Sequence, residues 1–163
     1  MTVFPEGVVR MAGPATEWIG TAARLGLAVV WGWAGLAKIS DPAEAAQAVR
    51  AYEILPESLV KPVGHGLPFL ELALALLLVI GLGVRLVAVV SAVLLLAFIG
   101  GIASAWARGI SIDCGCFGGG GAVDASQTEY LREILRDTGF LLLAGWLIWR
   151  PRTKFSADGR LAA

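Results

Sequence analysis

Gly64–Trp106 reads GHGLPFLELALALLLVIGLGVRLVAVVSAVLLLAFIGGIASAW. Two long apolar runs stand back to back in it, about 64–82 and 86–107, parted only by the tight connection Gly81-Leu82-Gly83-Val84 and Arg85. Each run is near the twenty residues that a helix rising about 1.5 Å per residue needs to cross about 30 Å of hydrocarbon. A chain that crosses a bilayer twice here has its fold class decided: an all-α integral membrane protein.

The flanks extend the pattern. Upstream, a further run covers about 18–38, from Trp18 to Lys38. Arg24 lies one or two turns inside its start, where a long side chain can snorkel to the headgroups. Ala28 and Gly32 stand four apart and predict close helix packing. Downstream, a charged helical stretch from Thr128 feeds a fourth, shorter run that ends at Trp149, about 134–149. The expected fold is therefore a four-transmembrane-helix bundle over residues 18–149, with a 1–17 segment before it and a basic 150–163 tail after it. The tail carries Arg150, Arg152 and Lys154 and reads as disordered. Residues 1–17, broken by Pro5 and Pro14, lack the charged start and apolar core of a cleavable signal, which leaves targeting to the first span.

Between the first two runs a short helix is expected. Asp41 suits an N-cap, Pro42 the N1 position and Glu44 the N3 position. Ala45, Ala48, Val49 and Tyr52 then share one face, and Pro56 ends the segment. It is too short and polar to span. It should lie in the interface or across the mouth of the bundle.

Composition agrees. Of the 163 residues, 57% are hydrophobic and 16% charged, and the mean hydropathy is +0.75. Soluble domains run nearer 45–50% and about 25%. The six tryptophans fit the membrane interface. A formal net charge of zero gives no basic field for nucleic acid. With four spans both termini share one side. The basic cluster after Trp149, with Arg85 in the shortest loop, makes that side cytoplasmic. The loop between the third and fourth spans is then extracytoplasmic, at the cell membrane, where disulfides form and persist.

That loop holds the only cysteines, Cys114 and Cys116, separated by Gly115. A bond between them closes a very small ring, which stabilises a fold little and is open to reduction. Gly115 supplies the backbone freedom such a ring needs. Little structural worth with ready reducibility points to exchange chemistry. Two packed, inert thiols remain an alternative. So does a metal half-site with His65 or Asp113, although zinc prefers four ligands. His65, between glycines at a helix start, reads as an interfacial residue. Charged residues gather at the same membrane face: Lys38, Glu71, Arg108, Arg136 and Asp137. Glu71 sits inside an apolar span and needs a partner, with Lys38, Arg108 and Arg136 in reach. These charges read either as a polar clasp for the bundle or as groups that tune the thiols and move protons.

An ordered series of motifs resembles the MauE family of methylamine-utilisation membrane proteins, related to the DoxX family. It comprises Gly35-Leu36-Ala37-Lys38-Ile39 with Asp41-Pro42, Tyr52-Glu53-Ile54-Leu55-Pro56 and Pro68-Phe69-Leu70-Glu71-Leu72. It continues through Asp113-Cys114-Gly115-Cys116-Phe117-Gly118 to Leu135-Arg136-Asp137, spanning roughly Ala23 to Trp149. The resemblance implies a membrane thiol–disulfide oxidoreductase component that works with an extracytoplasmic thioredoxin-like protein. Cys114 and Cys116 would cycle, supported by Lys38, Glu71, Arg136, Asp137, Gly115, Phe117 and Gly118. A quinone is the candidate electron acceptor by looser analogy with other four-helix membrane oxidoreductases. A second cysteine pair, which such relays often use, is missing. The alternative is a non-catalytic assembly factor or scaffold that holds an exported redox protein through Ala43–Leu55. A small-molecule carrier fits less well, because polar intramembrane residues are few.

Overall fold

The computed structural model describes residues 14–158. The reading of residues 1–13 as an uncleaved lead-in, and that of the last five tail residues, lie outside them. Among the described residues there are five α-helices: α1 (Pro14–Ile39), α2 (Pro42–Ala51), α3 (Glu57–Ile80), α4 (Val84–Ala107) and α5 (Tyr130–Trp149). A two-stranded antiparallel ribbon, β1 (Ile112–Asp113) with β2 (Gly121–Ala122), lies between α4 and α5.

The α3–α4 connection explains why two such apolar runs do not fuse into one helix. Gly81 and Gly83 take left-handed φ values of 74° and 61°. Both Gly81 N and Leu82 N donate to Leu77 O, which satisfies a carbonyl at the end of α3. The chain then reverses into α4.

Small residues set how closely the helices meet. Gly32 faces Ala75, with ordinary contact for a methyl group at 3.8 Å. One turn on, Gly35 has no room at all: a Cβ would lie 2.7 Å from Leu72 Cγ and 3.0 Å from Pro68 O. The α1–α3 crossing depends on glycine there. The core beneath is built from Leu27, Trp31, Leu78, Val84, Ala88, Leu95 and Leu147. Trp31 Nε1 donates to Ser91 Oγ at 2.9 Å, a buried tether between α1 and α4.

The outward faces are as apolar as the core. Val29, Trp33, Leu36, Leu76, Val79, Leu86, Val93 and Leu142 are all exposed, a surface that water disfavours and lipid accepts. Three helices, α1, α3 and α4, are long and apolar enough to cross a membrane. They are the first three of the four expected spans. Helix α5 has 20 residues, but Arg132, Glu133, Arg136 and Asp137 occupy its first half. Its length suits a crossing; its composition alone does not qualify it.

Helix α2 starts as expected, with Asp41 Oδ1 accepting from Glu44 N at 2.9 Å and Pro42 in the first turn. It packs across the mouth of the bundle, burying Ala45, Ala46 and Ala48. A Cβ on Gly64 would come within 2.6 Å of Ala46 Cα, so α3 and α2 also meet through a glycine.

Two readings change at the opposite end. Arg24 does not snorkel to headgroups: it is 2% exposed. Its guanidinium donates to Leu78 O at 2.8 Å and Val79 O at 3.2 Å, and to Lys154 O at 3.2 Å. The last carbonyls of α3 lack helical partners, and a buried cation supplies donors to them. The tail is not loose through Asp158. Lys154 N donates to Thr21 Oγ1 at 2.9 Å. Asp158 accepts from Gly83 N at 2.8 Å and Val84 N at 2.9 Å, capping α4 from a distance in sequence.

Candidate functional site

The segment Asp113-Cys114-Gly115-Cys116-Phe117-Gly118 forms the bend between β1 and β2. Cys114 and Cys116 are joined as a disulfide with their Cα atoms 5.4 Å apart. Gly115 has φ 64°, and a Cβ there would lie 2.8 Å from Ala48 Cβ. Gly120, at φ 101°, would meet the same methyl at 2.7 Å. A Cβ on Gly118, at φ 89°, would lie 3.1 Å from Ala37 Cβ. The hairpin is therefore seated directly on the small side chains of α1 and α2, and glycine meets both the conformational and the steric demand.

Three side chains fix the seat, those of Tyr130, Tyr52 and Arg108. Tyr130 OH donates to Ile110 O and accepts from Ile112 N, the latter at 3.0 Å, so the start of α5 holds the ribbon's base. Tyr52, at the end of α2, donates its hydroxyl to Cys114 O at 3.2 Å. Burial pushes the Tyr52 phenol up, so it remains a donor across the physiological range. Arg108 donates to Tyr52 O and not to Glu71, the partner considered for it from sequence.

Around the sulfurs the charges are arranged asymmetrically. Arg136 Nη2 lies 3.7 Å from Cys114 Sγ, and Cys116 N donates to the same sulfur at 3.2 Å. The guanidinium is held by Asp137, with Nε 2.9 Å from Oδ1, and stacks 4.7 Å above the Phe117 ring. Phe117 is braced in turn by Phe140, with ring centroids 6.4 Å apart. Glu133 accepts from Cys114 N at 3.4 Å. Nothing in the sequence marked Glu133 or Tyr130 as serving the cysteines, and Tyr52 stood out only on the shared face of the short helix and in the family motif. The 133/137 spacing, one helical turn, was the available indication that Glu133 shares the face of Asp137.

Lys38 and Glu71 meet as a buried pair, with Nζ 2.6 Å from Oε1. One oxygen of each of three carboxyls, Glu71 Oε2, Glu133 Oε2 and Asp137 Oδ2, has no hydrogen-bond partner among the described residues. Lys38 links this pair to the disulfide. It lines a cavity of about 50 Å³ with Tyr52, Phe98, Cys114, Gly115 and Cys116. On its other side it lines a cleft of about 170 Å³ with His65, Pro68 and Phe69. Both cysteines are 8% exposed, so the sulfurs face the small cavity and not open solvent.

The expected site residues thus converge on one end of the bundle, and His65 lies at that end too, in the outer cleft. For a metal, only Asp113, Cys114 and Glu133 bring ligand atoms together among the described residues, within 4.8 Å of one another. The Cys114 sulfur is already committed to Cys116. His65 is exposed and lines the cleft.

No curated protein and no solved structure matches the chain. The model of the family described as "Methylamine utilisation protein MauE" matches residues 16–150, from the first turn of α1 to the end of α5. That match takes in every helix and the cysteine hairpin, and the chain belongs to the MauE family.

Proposed function

We propose that this protein is a membrane thiol–disulfide exchange component whose Cys114–Cys116 bond is traded with the dithiol of an extracytoplasmic thioredoxin-like partner. In this reading α5 is the fourth span, entering the bilayer near Ile134 and leaving at Trp149. Both termini are cytoplasmic, with Arg150, Arg152 and Lys154 on that side. The hairpin then faces the exported proteome.

One observation carries the proposal. The disulfide joins residues two apart within one hairpin and bridges no separate elements, yet a cation and a backbone N–H are spent on one of its sulfurs. A purely structural bond needs no such groups. In the exchange, a partner thiolate attacks one sulfur and the other leaves as thiolate. The partner's second thiolate then attacks the mixed disulfide, leaving the partner oxidised and the Cys114/Cys116 pair reduced. Two electrons and two protons reach the pair. Glu133, Asp137 and the Lys38–Glu71 pair are the groups near enough to handle those protons. A membrane quinone would accept the two electrons from the dithiol in this scheme. Because the sulfurs are nearly buried, exchange with a protein requires the glycine-rich side of the hairpin to lift from Ala48.

The test is replacement of both cysteines by serine, with export-dependent disulfide status of client proteins followed in cells by thiol alkylation. Loss of the redox phenotype with normal membrane levels supports the exchange role. Full function in the double variant would instead favour a non-catalytic assembly factor. Alkylation of intact cells by an impermeant maleimide tests the sidedness.

A further inference from the structure

The two sulfurs are not equivalent, and the geometry points to a division of labour. We infer that Cys116 is the sulfur attacked by the incoming thiolate and carries the mixed disulfide, while Cys114 is the leaving sulfur, anchored by Arg136. This rests on the exchange reading above and deepens it.

Two donors converge on Cys114 Sγ, Arg136 Nη2 at 3.7 Å and Cys116 N at 3.2 Å. Cys116 Sγ faces an acceptor, Cys114 O, at 3.9 Å, and no donor reaches it among the described residues. Negative charge is therefore stabilised on Cys114 and opposed on Cys116. When a thiolate attacks a disulfide, the electron pair of the broken bond goes to the sulfur that is not attacked, and the better-stabilised leaving group departs faster. Attack at Cys116 forms the partner–Cys116 bond, breaks Cys114–Cys116 and leaves the pair on Cys114. The alternative places that pair on a sulfur next to a carbonyl oxygen.

Other charges face the same sulfur. Asp113 and Glu133 present oxygens within 4.8 Å of Cys114 Sγ and oppose a thiolate there. Asp113 is exposed, so water screens it. Glu133 is buried beside Cys114 and stands where a proton can be passed to the leaving sulfur. Lys38 reaches the shared cavity from α1, and the Tyr52 hydroxyl is turned to the carbonyl and not to the sulfur. The donors in direct contact outweigh the more distant acids. Arg136 itself is not free to follow another group, because Asp137 and the Phe117 ring hold its plane.

The experiment treats the oxidised full-length protein in detergent with reduced glutathione. It quenches in acid, alkylates with N-ethylmaleimide and locates each label by fragment mass spectrometry. The expected product carries glutathione on Cys116 and maleimide on Cys114, favoured by roughly tenfold or more, as a charge-assisted contact allows. Arg136→Met should bring the two adducts toward equal amounts, and Arg136→Lys should keep the preference. Regioselectivity is a ratio within one sample, so partial misfolding or slower access does not move it as loss of the cation would. Equal adducts in the unaltered protein, or glutathione mainly on Cys114, would overturn the assignment while leaving exchange standing. A preference unchanged by Arg136→Met would remove Arg136 from it. Failure of the folded protein to react with glutathione at all would overturn both the assignment and the exchange reading.

Discussion

Lys38 Nζ lies 2.6 Å from Glu71 Oε1, and the two side chains are 8% and 0% exposed. The pair joins α1 to α3 one turn beyond Gly35, where a Cβ would come within 2.7 Å of Leu72 Cγ. Its lysine also lines the small cavity at the disulfide. Removing one member strands the other. Lys38→Met should cost about 3–5 kcal/mol, because it leaves a buried carboxyl without compensation. The double variant K38M/E71M should recover most of that loss, since both desolvation costs vanish together. Thermal unfolding in detergent measures both, and a double variant as unstable as the single one would show that the pair does more than compensate itself.

The disulfide should contribute little to stability. It closes a ring of three residues, for which loop-closure entropy gives about 1–2 kcal/mol, below the roughly 2–4 kcal/mol of ordinary bridges. Replacing Cys114 and Cys116 by serine should leave the helical far-ultraviolet signal intact and lower the unfolding free energy by no more than that amount. A loss of about 4 kcal/mol or more would mark the bond as a structural staple.

The hairpin glycines should separate into two classes. Gly119 has φ 71° and open space where a Cβ would stand, so Gly119→Ala should cost only the left-handed backbone term, about 1–2 kcal/mol. Gly115 combines φ 64° with a methyl only 2.8 Å away on Ala48. Gly115→Ala should therefore cost more and lift the hairpin from α2. The check is the rate of maleimide labelling of the reduced pair, expected to rise for Gly115→Ala well above that for Gly119→Ala.

Hydrophobic run length and turn chemistry made most of this architecture legible in the sequence. The Asp41-Pro42 start of α2 and the glycine turn at Gly81 depend on local rules, and both formed as those rules require. That Glu71 needs a cationic partner followed from the cost of an isolated carboxyl in an apolar span, with Lys38, Arg108 and Arg136 left open, and the fold supplies Lys38. What stayed hidden were contacts between residues far apart in the chain. Nothing local to Arg24 distinguishes a snorkelling side chain from one that caps α3 and holds Lys154 and Phe155. Glu133 is one more acid in a charged stretch until the hairpin folds against it. The burial of both cysteines under a glycine strap also depends on the alanine face of α2, far upstream in the chain.

The tail offers the remaining prediction, at the end of the bundle away from the sulfurs. Asp158 accepts from Gly83 N and Val84 N, so the first turn of α4 is capped by a residue that follows α5. Capping side chains are worth about 0.5–2 kcal/mol. Asp158→Ala should destabilise the bundle by that much and speed hydrogen exchange at Gly83 and Val84. Arg24→Met removes the donors to Leu78 O and Val79 O and to the tail carbonyls at once. Its cost should be larger, and exchange should also rise at Lys154, whose N–H is held by Thr21. Both variants should leave glutathione regioselectivity at the cysteines unchanged, because the caps and the sulfurs lie at opposite ends of the helices. A shift in that ratio with Asp158→Ala would mean that the tail communicates with the hairpin through the bundle.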